Sequence, residues 1–141
     1  MVWIALTSVV LAFSLVVAVM AWALVNRRRA ARLPGAFACR VRSRGSTAGC
    51  RFPRLASTAR WVGGVLAVQG GVGLSPTRLF PVVAADAVRP LRPGDVRGLG
   101  ATPRSVILIL EDGNLLEVAV AAGDAGLLAG PVAPRAPSRR V

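Results

Sequence analysis

A nearly unbroken apolar run, Val2 to Val25, opens the chain and stops against Asn26-Arg27-Arg28-Arg29. Few folds accommodate such a run. Its only polar side chains are Thr7, Ser8 and Ser14, whose hydroxyls can return to a carbonyl one turn back and so cost little in lipid. As a helix it is about 36 Å long, enough to cross a hydrocarbon layer of about 30 Å with some tilt. It lacks the polar face of a helix that lies on a soluble core. Trp3 and Trp22 sit near its two ends, where indoles favour the headgroup region. The reading is a transmembrane helix over 2–25. A cleaved signal peptide would have positive charge ahead of a shorter apolar core and a small-residue cleavage site after it, yet no Arg or Lys precedes residue 27.

Arg27, Arg28, Arg29 and Arg32 form a stop-transfer flank. The positive-inside rule then predicts a single-pass protein of the plasma membrane, N-terminus outside and residues 27–141 in the cytoplasm. These four arginines are the candidate membrane-surface residues. Next to a bilayer they are drawn to anionic lipid headgroups by about 1 kcal/mol each. The alternative is an exported, membrane-anchored protein of the cell envelope, in which Cys39 and Cys50 would be joined by a disulfide.

The chain beyond the apolar run suffices for one small domain. All 18 basic residues are arginine, the formal net charge is +12, and the chain has no Lys, His or Tyr. An all-Arg, Ala/Val/Gly-rich composition fits GC-rich coding, so each arginine is not a chosen phosphate reader. The charge is unevenly placed: ten arginines lie between Arg27 and Arg60 with no acid among them, and all six acids lie from Asp86 onward.

These absences exclude chemistry. Without His there is no Ser/His/Asp or Cys/His nucleophilic site of the usual kind, and without Lys no Schiff base or phosphate-loop lysine. Gly98-Leu99-Gly100 precedes no helix pattern and reads as loop. Cys39 and Cys50 cannot complete a four-ligand zinc site alone; in a reducing cytoplasm Cys39 reads as a small buried core residue. Glu111-Asp112 sits at a turn, where Asp serves geometry. No catalytic residue, metal site or cofactor is expected. Nucleic acid is not an expected partner either, because Phe37, Phe52 and Trp61 read as core residues and leave the basic stretch without stacking platforms.

Residues 26–36 read as a basic juxtamembrane linker in which Pro34-Gly35 breaks any continued helix, 37–130 as a small mostly-β domain, and 131–141 as a disordered basic tail. Within the domain, Phe37–Arg42 and Trp61–Gln69 read as strands, the latter with a bulge or a close backbone approach at Gly63-Gly64. A short edge strand at Arg51-Phe52, shorter strands at Val72–Leu74 and Arg78–Val83, and one near Ala87–Leu91 complete the set. Ser105–Glu111 and Asn114–Val120 flank Asp112-Gly113, a two-residue hairpin signal. That turn pairs Ile109 with Leu116 and Ile107 with Val118, and predicts a core face of Ile107, Ile109, Leu116, Val118 and Val120. The opposite face, Val106, Leu108 and Leu110 beside Glu117, is apolar enough to want cover. Asp124–Ala129 reads as a short helix capped by Asp124 and ended by Gly130-Pro131. The sum is a small antiparallel barrel or sandwich with a short C-terminal helix.

The order of landmarks carries a resemblance. After the apolar span and its Arg flank come Gly35-Ala36-Phe37-Ala38-Cys39-Arg40-Val41-Arg42, then Trp61-Val62-Gly63-Gly64-Val65, then the late apolar hairpin. Over about residues 1–130 this resembles the domain of unknown function 2550 family, small membrane proteins of GC-rich Gram-positive bacteria. The resemblance implies a single-pass protein whose soluble part is a pleckstrin-homology-like β-barrel, and it brings no activity or catalytic residues. The chain departs from the family pattern near Gly73–Phe80, where an aromatic strand is reduced to Arg78 and Phe80, and in its short closing helix. The functional expectation is a non-enzymatic, membrane-tethered module that binds a membrane protein partner or the anionic inner-leaflet surface. Arg40, Arg42, Arg51 and Arg54 are the candidate partner face.

Overall fold

The computed structural model describes residues 2–45, 51–71, 75–132 and 134. Helix α1 spans Val2–Arg32. Its large apolar side chains are exposed, Trp3 81%, Leu11 71% and Phe13 69%, while the small Ala23 is buried. The Thr7 hydroxyl donates to the carbonyls of Trp3 and Ile4, and that of Ser8 to Ile4, so these polar groups are satisfied within the helix. The helix is long and apolar enough to cross a membrane. It runs past the apolar segment, so Asn26–Arg32 are helical where a linker was expected; nothing before Pro34 interrupts the helical hydrogen bonds. The chain then turns at Leu33–Ala36. The Ala36 amide donates to the Leu33 carbonyl at 3.1 Å, and Gly35, at φ 73°, takes the position that a Pro-Gly type II turn reserves for glycine.

Among the described residues the β-domain has seven strands: β1 (Phe37–Arg44), β2 (Ser57–Val62), β3 (Val65–Gln69), β4 (Arg78–Ala85), β5 (Arg89–Pro90), β6 (Arg104–Leu110) and β7 (Leu115–Val120). All pairings between them are antiparallel, in the order β4-β3-β2-β1-β7-β6-β5. β4 also pairs with β6, so the hydrogen-bonded sequence of neighbours returns to its start. β4 manages this by changing partner midway. Arg78–Pro81 pair with β3 and Val82–Ala85 with β6, with an irregularity between Val82 and Ala84. Pro81 brings no amide proton at the crossover, and the bulge bends the strand.

Trp61–Gln69 is two strands, not one. Val62 pairs with Val65, and Gly63, at φ 60°, turns the chain; Gly-Gly here makes a two-residue hairpin instead of a bulge. Ser57–Arg60, outside the expected strand, supplies the missing length of β2. Arg51-Phe52 forms no strand, and the expected strand at Val72–Leu74 lies outside the described residues.

The β6–β7 hairpin is present with its register shifted by one. Leu108 faces Leu116, Val106 faces Val118 and Ile107 faces Glu117. The loop has three residues: the Leu110 amide donates to the Asn114 carbonyl, the Gly113 amide to the Leu110 carbonyl, and Gly113 has φ 84°. No non-glycine residue among those described has positive φ, so Asp112 does not adopt the conformation that a two-residue turn needs. Because side chains alternate, this slip turns β6 over. Val106, Leu108 and Leu110 enter the core with Leu116, Val118 and Val120, while Ile107 faces the other way.

The core also takes Phe37, Cys39, Ala59, Leu66, Val68 and, from the closing segment, Leu128. Cys39 is a fully buried free thiol, and burial pushes its pKa up to about 12. Cys50, the other half of the alternative disulfide, lies outside the described residues. The closing segment is a 3-10 turn at Ala122–Asp124 followed by α2 (Ala125–Leu128). Asp124 makes no side-chain cap. The segment is held from the other end, where the Trp61 Nε1–H donates to the Leu127 carbonyl at 2.9 Å. Beyond it, Val132 packs on the core and Pro134 forms a bridge to Ala85, so these residues of the expected tail are placed; 135–141 lie outside the described residues.

Gly130 has φ 52°, and a Cβ there would clash with the Trp61 indole. Gly130→Ala is therefore expected to destabilise the domain by about 2 kcal/mol or more, read from urea unfolding of the detergent-solubilised chain, and to move the Trp61 indole resonance. At the hairpin, the backbone amide and side chain of Asn114 donate to the Asp112 carboxylate and hold its pKa below the usual value. The stabilisation from that carboxylate is present above the unfolded value and is lost as pH falls through the lower folded value, below about pH 4. A carboxyl NMR titration should place the Asp112 midpoint below that of an unstructured Asp, and Asn114→Ala should move it partway back.

Candidate arginine basin

Alternation along β1 sends Phe37, Cys39 and Val41 toward the core and leaves Arg40 and Arg42 on the outer face. There Arg42 lies directly opposite Glu117 of β7, and Arg40 opposite Ala119. Glu117 is only 5% exposed. The Arg42 Nε–H donates to Glu117 Oε2 at 2.7 Å, and a second guanidinium nitrogen approaches the same oxygen at 2.6 Å. The Arg42 guanidinium carbon stands 4.2 Å from the centre of the Phe52 ring, a cation–π contact.

Phe52 is the anchor of the loop after residue 50. With Val96, Leu99 and Ala119, and with Leu91 at the edge, it forms a second apolar cluster on the outside of the sheet. This cluster covers Ala119 on the outer face of the hairpin with Leu91, Val96 and Leu99 of the chain's own 91–99 segment, whereas the face expected to want cover, Val106, Leu108 and Leu110, is the core face. Phe52 points down, so its neighbours Arg51 and Arg54 stand exposed. Val96 does the same for the facing loop and leaves Asp95 and Arg97 exposed. The result is a concavity of about 890 Å³ with Arg40 and Arg42 at its floor, Arg51 and Arg54 on one wall and Asp95 and Arg97 on the other.

Arg40 is the unusual member. It is 7% exposed. One terminal nitrogen donates to the Pro53 carbonyl at 2.5 Å, while Nε is buried with no partner among the described residues. The nearby carboxylate, Glu117, is committed to Arg42. Gly98, at φ 82°, lets the loop backbone lie against this guanidinium; a Cβ there would come within 3.0 Å of it.

The four arginines of the expected partner face thus line one basin. The sequence reading did not include Arg97, Asp95, or Glu117 as the mate of Arg42. A Phe flanked by arginines at 51–54 signals an anchored loop, but nothing local marks Arg97. Arg27, Arg28, Arg29 and Arg32 lie elsewhere, exposed on the last turns of α1. A second concavity, of about 860 Å³, opens by the Asp112 turn between Val41, Val68, Phe80 and Leu116. Among the described residues no group of three His, Cys, Asp or Glu is placed to hold a metal ion.

No family model matches the chain, and no curated protein or solved structure matches it.

Glu117→Gln removes the charge that balances Arg42. The expected cost is about 2–3 kcal/mol in urea unfolding, below the 3–5 kcal/mol of a fully buried pair because Arg42 keeps contact with water. Replacing both partners by apolar residues, Arg42→Met with Glu117→Leu, should recover most of it.

Proposed function

We propose that this chain is a single-pass plasma-membrane protein whose cytoplasmic β-domain is a non-enzymatic binding module, with the arginine basin as its recognition surface. The finer fold reading belongs to this proposal: a small antiparallel barrel of the pleckstrin-homology-like kind, supported by the β4–β6 pairing and by the closing helix whose Leu128 enters the core. So does the kinship with the domain of unknown function 2550 family, supported by the landmarks from Gly35 to Val65.

The observation that carries the reading is the join between helix and basin. At about 46 Å, α1 exceeds a hydrocarbon layer by several turns, so its arginine-bearing end emerges into the headgroups. One hydrogen-bonded turn separates that end from β1, and a turn of this kind spans less than about 7 Å. Arg40 lies three residues into β1, about 10 Å further. The basin is therefore held within roughly 20 Å of the membrane-proximal end of the helix. Tethering raises the effective concentration of any membrane-bound partner, so individual contacts can be weak. Arg27, Arg28, Arg29 and Arg32 set the orientation by the positive-inside rule and add attraction to anionic lipid.

The test is a pair of C-terminal reporters, one active only in the cytoplasm and one only outside, combined with a photo-crosslinker in place of Arg54. Cytoplasmic signal with a discrete crosslinked membrane partner supports the module. Outside signal removes the cytoplasmic assignment. Changing Arg27, Arg28, Arg29 and Arg32 together to Glu should reduce the cytoplasmic fraction; an unchanged reporter ratio would show that this flank does not set topology.

A further inference from the structure

We propose that the basin is a phosphate site: a phosphomonoester or phosphodiester group seats over Arg40, with Arg51, Arg54 and Arg97 closing on it from the two walls. The inference rests on the reading of the basin as a recognition surface and names what it recognises. Three observations lead to it. First, Arg42 is neutralised by Glu117, which leaves Arg40, Arg51, Arg54 and Arg97 facing a single aspartate, Asp95. Second, Arg40 is a buried cation with one carbonyl partner and an unpartnered Nε. Buried charge is costly unless it is compensated, and no carboxylate among the described residues reaches it. Third, the two loops are fixed from beneath by Phe52 and Val96, so the walls are preorganised and little ordering is needed on binding.

Phosphate fits this arrangement better than carboxylate. A carboxylate offers two oxygens in one plane and matches one guanidinium fork. A phosphate presents non-bridging oxygens in several directions and can meet converging guanidinium groups at once. The basin, at about 890 Å³, also leaves room for the group that carries the phosphate. Its distance from α1 allows two sources of the same chemistry, a lipid headgroup or a water-soluble phosphate compound.

The experiment uses the full chain with 15N-labelled arginine in neutral detergent. Inorganic pyrophosphate and glycerol phosphate are titrated at constant ionic strength, with sodium acetate as the control anion, and the arginine Nε–H resonances are followed. The expected result is saturable movement of the Arg40 and Arg54 signals by both phosphate probes, with an apparent Kd below about 1 mM, and no saturation with acetate. Arg54→Glu and Arg97→Glu, both at exposed positions, should each weaken binding about tenfold or more without altering urea unfolding. Repeating the titration in lipid nanodiscs separates the sources. If phosphatidylglycerol-enriched discs already occupy the site and block the soluble probes while phosphatidylcholine discs do not, the headgroup is the source. Equal probe binding in both discs points to a soluble phosphate. Acetate matching the phosphates, an absence of saturation, or charge reversals without effect would overturn the proposal. If the titration is flat while the Arg54 crosslinker still captures a partner, the phosphate inference falls and the module reading stands.

Discussion

One strand has to serve two partners. β4 pairs with β3 over its first half and with β6 over its second, and the order of the domain depends on that division. Without it the sheet would end on two open edges, each a row of unpaired amides and carbonyls that invites association with other chains. The sequence at the crossover suits the task, because Pro81 has no amide to offer and the irregularity after Val82 bends the strand. Once β4 reaches β6, side chains from six strands join one core cluster. The closing segment then has a place to put Leu128.

Much of this was legible from the chain, and the failures share a cause. β1, β4, the late hairpin and the closing turn at Gly130 could all be read from alternation and from Gly/Pro punctuation. The register of the hairpin could not. Val106–Leu110 is apolar on both faces, so no polar side chain there declares which side meets water, and Asp112-Gly113 marks a turn without stating its length. One additional loop residue inverts β6. Glu117 misleads for a related reason: a carboxylate in a strand signals exposure, yet here it is sealed beneath a loop because an arginine stands across from it. Gly63-Gly64 read as an irregularity inside one strand, and it is a turn because Ser57–Arg60 extends β2 and completes a hairpin.

The basin shows how a charge run becomes a site. Arginine spacing along the chain gave the candidates Arg40, Arg42, Arg51 and Arg54, but it contained no reason for them to meet. The reason is apolar. Phe52 and Val96 drop into one small cluster on the outside of the sheet and lift the charged residues beside them into facing walls. A guanidinium over the Phe52 ring and a carboxylate opposite it complete the floor. Arg97 joins from a remote loop through the same packing, a tertiary relation without a local signature. The all-arginine basic composition therefore has a structural consequence here that depends on hydrophobic anchors.

Trp61 has a place in the fold with practical value. Of the three tryptophans, two lie on α1 and would report on lipid or detergent. Trp61 stands within the β-domain, with its ring against Gly130 and its N–H bound to the closing segment. Replacing Trp3 and Trp22 leaves a single emitter whose colour and anisotropy track the seating of that segment. The domain thus carries its own optical gauge of closure, which can be read on the purified chain in detergent or in nanodiscs without any added label.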